Sequence, residues 1–83
     1  SYLASVENLR GLALLLTKRP AQAIPAFKRA LSVAGANRTF RQYVLYNLAK
    51  AQFDAGQLEE AEVSASQIPS DTLDRENRLK LHY

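Results

Sequence analysis

Cysteine, methionine and tryptophan are all missing from this chain of 83 residues, and there is a single histidine. Without thiols there is no disulfide staple, no cysteine nucleophile and no thiolate-held metal. The lack of Cys leaves the compartment open, because a reducing cytosol and a disulfide-free periplasmic domain both fit. The chain starts on Ser and holds no Met, so it is read as a processed product or an excised domain. Long apolar runs are lacking too. The longest aliphatic stretch is the five residues Leu12 to Leu16, whereas a membrane helix needs roughly 20. Glu7 lies just upstream of that run and Lys18-Arg19-Pro20 follows it, which is not the pattern of a signal peptide.

What is present is an ordinary globular balance, 47% hydrophobic and 23% charged, and not the composition of a disordered segment. A chain this short builds at most one compact domain and buries only about 60–65% of its unfolded surface. Charge is placed unevenly. Residues 1–50 hold eight basic groups against Glu7 alone, and residues 51–83 hold three against seven acids, which sums to the net +3. Such a layout can steer a charged partner, or it can simply be solvated helix surface.

Glycine and proline are scarce, three of each, and they punctuate. Pro20, Gly35, Gly56 and Pro69 divide the chain into five segments whose apolar residues recur at the helical spacing of three and four. Leu9, Leu12, Ala13 and Leu16 form one stripe, and Ala23, Phe27, Ala30, Leu31 and Ala34 a second. Val44, Leu45, Leu48, Ala49 and Phe53 form a third, and Leu58, Ala61, Ala65 and Ile68 a fourth. The chain therefore reads as all-α. The expected core is Leu9, Ala13, Leu16, Ile24, Phe27, Ala30, Leu31, Leu45, Leu48, Ala49, Phe53, Leu58, Ala61 and Ile68.

The boundaries have local causes. Pro20 suits the first position of a helix, where its missing N–H costs nothing. Gly35 and Gly56 can take positive φ just past a helix end. Asn37 or Thr39 can cap the third helix, and Ser70, Asp71 or Thr72 the fifth. Pro25 falls in the second turn of its helix and deletes one backbone bond there. Short connections make consecutive helices antiparallel. The expected organisation is one domain over 1–83: a hairpin over 2–34, a second over 38–68, and a terminal helix over 72–83.

The two hairpins resemble each other at an offset of 38 residues: Gly11 aligns with Ala49, Ala23 with Ala61, Phe27 with Ala65 and Ala30 with Ile68. An internal period of this size signals a helical repeat array. In the second hairpin Leu48-Ala49, Gly56 and Leu58-Glu59-Glu60-Ala61 follow the pattern of the tetratricopeptide repeat. In the first, Ala23-Ile24-Pro25-Ala26-Phe27-Lys28-Arg29-Ala30-Leu31 resembles the second helix of such a repeat. Three departures stand out. The family period is usually 34. Glu7 and Arg10 fall where large apolar residues are expected, and Lys18 replaces the turn glycine. The resemblance implies a short right-handed α-solenoid of five helices whose small residues let helix axes approach closely. The terminal helix is either a polar cap or the first half of a further repeat.

The resemblance also implies a groove lined by the first helix of each hairpin and filled by a peptide or helix of another protein. On this chain the groove residues are Tyr43, Tyr46, Asn47, Lys50 and Phe53 in the second hairpin, with Asn8 and Leu12 in the first. Exposed tyrosines offer large contact area with few rotors to freeze; alternatively, Tyr43 and Tyr46 seal the hairpin junction. A clamp for a C-terminal carboxylate is not expected, because Asn8 and Leu12 stand where the family places Lys and Asn. Two other readings stay open. The basic residues Lys18, Arg19, Lys28, Arg29, Arg38 and Arg41 can contact nucleic-acid phosphates, although they scatter over several faces. An exposed apolar end of the array can pair with a second copy.

Catalysis finds little support. His82 stands alone beside the C-terminus, without a partner of fixed geometry. Glu59, Glu60 and Glu62 open a helix, where negative charge complements the dipole. There is no phosphate loop, nucleophile elbow or metal-ligand spacing. The chain reads as a non-enzyme with no cofactor, no metal and no small-molecule substrate.

Overall fold

A computed structural model of the chain describes residues 2–35 and 37–69, and these form four α-helices and no strand. They are α1 (Tyr2–Leu16), α2 (Pro20–Val33), α3 (Arg38–Asp54) and α4 (Leu58–Ser66). The fifth helix expected over 72–83 lies outside the described residues. Each helix packs on the next, and a narrower contact joins α1 to α3.

The turns α1–α2 and α3–α4 are built alike. In the first, Arg19 N–H donates to the Leu14 carbonyl at 2.8 Å and Lys18 N–H to that of Leu15 at 3.1 Å. In the second, Gln57 N–H donates to Gln52 at 2.8 Å and Gly56 N–H to Phe53 at 3.0 Å. Every donor and acceptor is displaced by 38 residues between the two. This paired pattern closes a helix by returning two orphan carbonyls to the chain, and it needs one residue in the left-handed region. Gly56 supplies it with φ 83°, and Lys18 with φ 64°. Lysine thus adopts in the first turn the conformation that glycine adopts in the second. At the α2–α3 connection Gly35 has φ 68°. There Asn37 caps α3, its Oδ1 accepting from Phe40 N–H at 3.0 Å.

Of the expected core residues, Ile24, Phe27, Ala30, Leu45, Leu48, Ala61 and Ile68 are buried. They are joined by Ala4, Ala23, Ala26, Ala34, Val44 and Ala51. Leu31 and Ala49 are only partly buried. Four large apolar residues reverse expectation: Leu9 and Leu16 are 64% and 81% exposed, and Phe53 and Leu58 are exposed as well. Ala13 is also exposed. On α1 the inward face is Ala4, Glu7, Asn8 and Gly11, with Leu12, Leu14 and Leu15 packed partly against the core. The Leu9–Leu16 stripe therefore points away from the rest of the molecule.

Glycine fixes how near α1 comes to α2. Phe27, fully buried, lays its ring over Gly11, where an added Cβ would stand 2.5 Å from the ring. Glu7, placed where the repeat pattern expects an apolar residue, is buried beside it. Its carboxylate accepts from Arg29 Nε on α2 and lies 3.5 Å from Arg10.

Candidate binding face

Tyr43, Tyr46, Lys50 and Phe53 step by three, four and three residues along α3, which places them on one side of a helix. All four are exposed. Val44, Leu45, Leu48, Ala51 and Gln52 occupy the buried side of α3. Three aromatic rings and one ammonium thus share an open strip about three turns long. Lys50 Nζ lies 3.8 Å from Asp54 Oδ2, a turn further on; an exposed pair of this kind contributes little stability.

The other expected groove residues take different positions. Asn47 and Asn8 are both buried, and Asn47 Nδ2 donates to Asn8 Oδ1 at 3.1 Å. This hydrogen bond ties α1 to α3 at the edge of the aromatic strip. Leu12 is partly buried against the core. The structure therefore gathers Tyr43, Tyr46, Lys50 and Phe53 into one face, and sets Asn8, Leu12 and Asn47 in the seam beside it.

Two further polar pairs lie between helices, and sequence reading did not find them. Ser64 Oγ donates to Gln52 Oε1 at 2.6 Å, both residues buried. The other is Glu7 with Arg29. Hydrogen bonding from the Arg29 guanidinium holds the Glu7 carboxyl below its ordinary value; desolvation opposes this, and the charges of Arg29 and Arg10 reinforce it. The signal for both pairs was a polar residue inside an otherwise apolar helical stripe. Its partner, on another helix, cannot be read from local spacing. Among the described residues no buried side-chain polar atom lacks a partner.

The basic residues are dispersed. Arg29 is engaged by Glu7, and Arg41 donates to the Leu31 carbonyl at 3.0 Å. Lys28 lines a cleft of about 380 Å³ opposite Glu59 and Glu60 of α4. No group of three or more His, Cys, Asp and Glu side chains able to hold a metal occurs among the described residues; His82 lies outside them. No described helix is long and apolar enough to cross a membrane.

Comparison with curated proteins and with solved structures gives no significant match. The family model of the tetratricopeptide repeat matches residues 14–81, most of the chain. That span takes in both Schellman-type turns, the Phe27 core position and the aromatic strip of α3. With its two helical hairpins repeating at 38 residues, the chain belongs to the tetratricopeptide repeat family, whose members mediate protein–protein interaction.

Proposed function

We propose that this chain holds a segment of a partner protein, an extended peptide or a helix, against the strip Tyr43–Tyr46–Lys50–Phe53. The carrying observation is that three aromatic residues of one helix are exposed together on the side opposite its buried face. Water-exposed aromatic surface of this kind gains most from being covered, and aromatic residues dominate the energetics of interfaces. Asn8, Leu12 and Asn47 then act as the rigid floor and edge of the groove, the asparagines locking α1 against α3. The 83 residues act as one domain, a right-handed stack continued by residues 72–83, with no catalytic role and no cofactor.

Selection of a random peptide library on the full chain, immobilised, tests this reading. Peptides retained by the wild type should bind at least tenfold more weakly to Tyr43→Ala, Lys50→Glu, with both proteins melting at the same temperature. A tenfold loss corresponds to about 1.4 kcal/mol, the scale of one interface hot spot. Equal binding to both proteins, or no enrichment of any peptide, refutes it.

A further inference from the structure

The repeat offset shows which surfaces this array leaves uncovered. On α3, Phe40, Asn47 and Ala51 are covered or partly covered, and Asn47 reaches back to α1. Thirty-eight residues earlier in the chain stand Tyr2, Leu9 and Ala13, all exposed. At the other end, Pro20 and Ile24 of α2 are partly and fully buried, while their counterparts on α4, Leu58 and Glu62, are exposed. Among the described residues each hairpin thus presents, bare, the positions that its partner hairpin uses for packing.

Charge matches these two faces to each other. The turn of the first hairpin carries Lys18 and Arg19, with no acid between residues 8 and 33. The stretch 51–69 carries Asp54, Glu59, Glu60 and Glu62 and no base. Both turns connect equivalent helix ends, so they lie at the same end of the stack. Continuing the stack by the same step, with a second copy placed before α1, sets its acidic turn beside Lys18 and Arg19. The apolar stripe Tyr2, Leu9, Ala13 and Leu16 then meets the helices carrying Leu58 and Glu62. An isologous pairing of two α1 faces would instead bring the two Lys18-Arg19 turns into play against each other or leave them unused. Opposite charge on the two ends favours the head-to-tail arrangement.

We infer that the chain self-associates head to tail, the α1–α2 face of one copy stacking on the α3–α4 face of the next. The contact is separate from the Tyr43–Lys50 strip and does not depend on it for its test. Sedimentation equilibrium of the full 83-residue chain should give a weight-average mass that rises with concentration to at least twice the 9.2 kDa monomer. The mass should fall as salt increases from about 0.1 to 1 M, where the screening length shortens from roughly 10 to 3 Å.

Two blocked variants separate this arrangement from others. Leu9→Glu, Leu16→Glu sets acids against the acidic face, and Leu58→Arg, Glu62→Arg sets bases against the basic one. All four positions are exposed, so folding is retained and is checked by circular dichroism. Each variant alone should remain at the monomer mass, and an equimolar mixture should recover association, because one intact face of each kind remains. A wild type that stays monomeric at every concentration overturns the proposal. So does association of the Leu58→Arg, Glu62→Arg variant by itself, which marks an isologous α1 pair, or a mixture that stays monomeric.

Discussion

The ring of Phe27 lies directly over the Cα of Gly11, and a methyl group in place of the glycine hydrogen would stand 2.5 Å from its Cε1 atom. The contact sets the distance between α1 and α2 in the first hairpin. Neither side can yield easily, because Phe27 is fully buried and Gly11 sits mid-helix.

Gly11→Ala should therefore destabilise the protein although alanine is the better helix former. Propensity favours the substitution by about 1 kcal/mol. Forcing a Cβ into the ring costs about 1–3 kcal/mol in displaced packing, so the net loss is roughly 1 kcal/mol. Phe27→Ala alone should cost about 3–5 kcal/mol by leaving a cavity. In the background of Phe27→Leu, however, Gly11→Ala should lose most of its penalty. Urea denaturation of the two singles and the double measures this; additive effects would show that the ring is not what excludes the methyl group.

Lys18 and Gly56 occupy equivalent turns with nearly equal positive φ, 64° and 83°. Only the glycine adopts this conformation without a Cβ penalty, which is about 1–2 kcal/mol. Against that, a new glycine loosens the unfolded chain by about 0.4–1 kcal/mol. Lys18→Gly should thus stabilise by about 0.5–1 kcal/mol, and Gly56→Lys should destabilise by a similar amount. For a domain of this size each change moves the melting temperature by several degrees. Calorimetry on the pair checks it, and a melting temperature lowered by Lys18→Gly would contradict the shared geometry.

Glu7 gives the protein a defined sensitivity to acid. Its carboxyl is held below its ordinary value of 4.5, chiefly by the hydrogen bond from Arg29. A group depressed in the folded state contributes stability above its unfolded pKa and loses it as pH falls through the folded one. Stability should accordingly drop below about pH 4.5 more steeply in the wild type than in Glu7→Gln, with the two curves converging at the lowest pH. Denaturation midpoints measured between pH 7 and 2 test this. Parallel curves would mean that Glu7 carries no such linkage.

Helix number, turn positions and the repeat offset were legible because each rests on local chemistry. Pro20 starts a helix, Asn37 caps one, and Gly35 and Gly56 follow helix ends. The facing of α1 was not. Leu12 to Leu16 runs through more than a full turn of helix, so hydrophobicity alone gives that segment no preferred side. The side was decided by residues that read as defects, Gly11 under Phe27 and Glu7 against Arg29. Phe53 and Leu58 were placed in the core for a related reason. A repeat pattern marks positions that pack in a continuing array, and in the described part of this chain nothing covers them. The aromatic strip was legible because its spacing lies within one helix. The Asn8–Asn47 bond joins residues 39 apart through the docking of two hairpins, which no local pattern reports.

That bond yields the last prediction. Asn8 and Asn47 are buried and each is the other's side-chain partner across the α1–α3 seam. Replacing either one by Ala strands a buried amide and should cost about 1–3 kcal/mol, the desolvation of an unpaired polar group. Replacing both removes donor and acceptor together, so the double variant should lose clearly less than the sum of the singles. The expected coupling is 0.5 kcal/mol or more, the usual scale for residues in direct contact at about 3 Å. A double-mutant cycle by chemical denaturation measures it. The seam is also where the proposed groove has its floor, so the Asn47→Ala single should weaken peptide binding without removing any exposed ring of the strip. Additive stability losses would show that the two amides do not hold the hairpins in register. Unchanged peptide affinity would show that the register, though held there, is not what shapes the binding face.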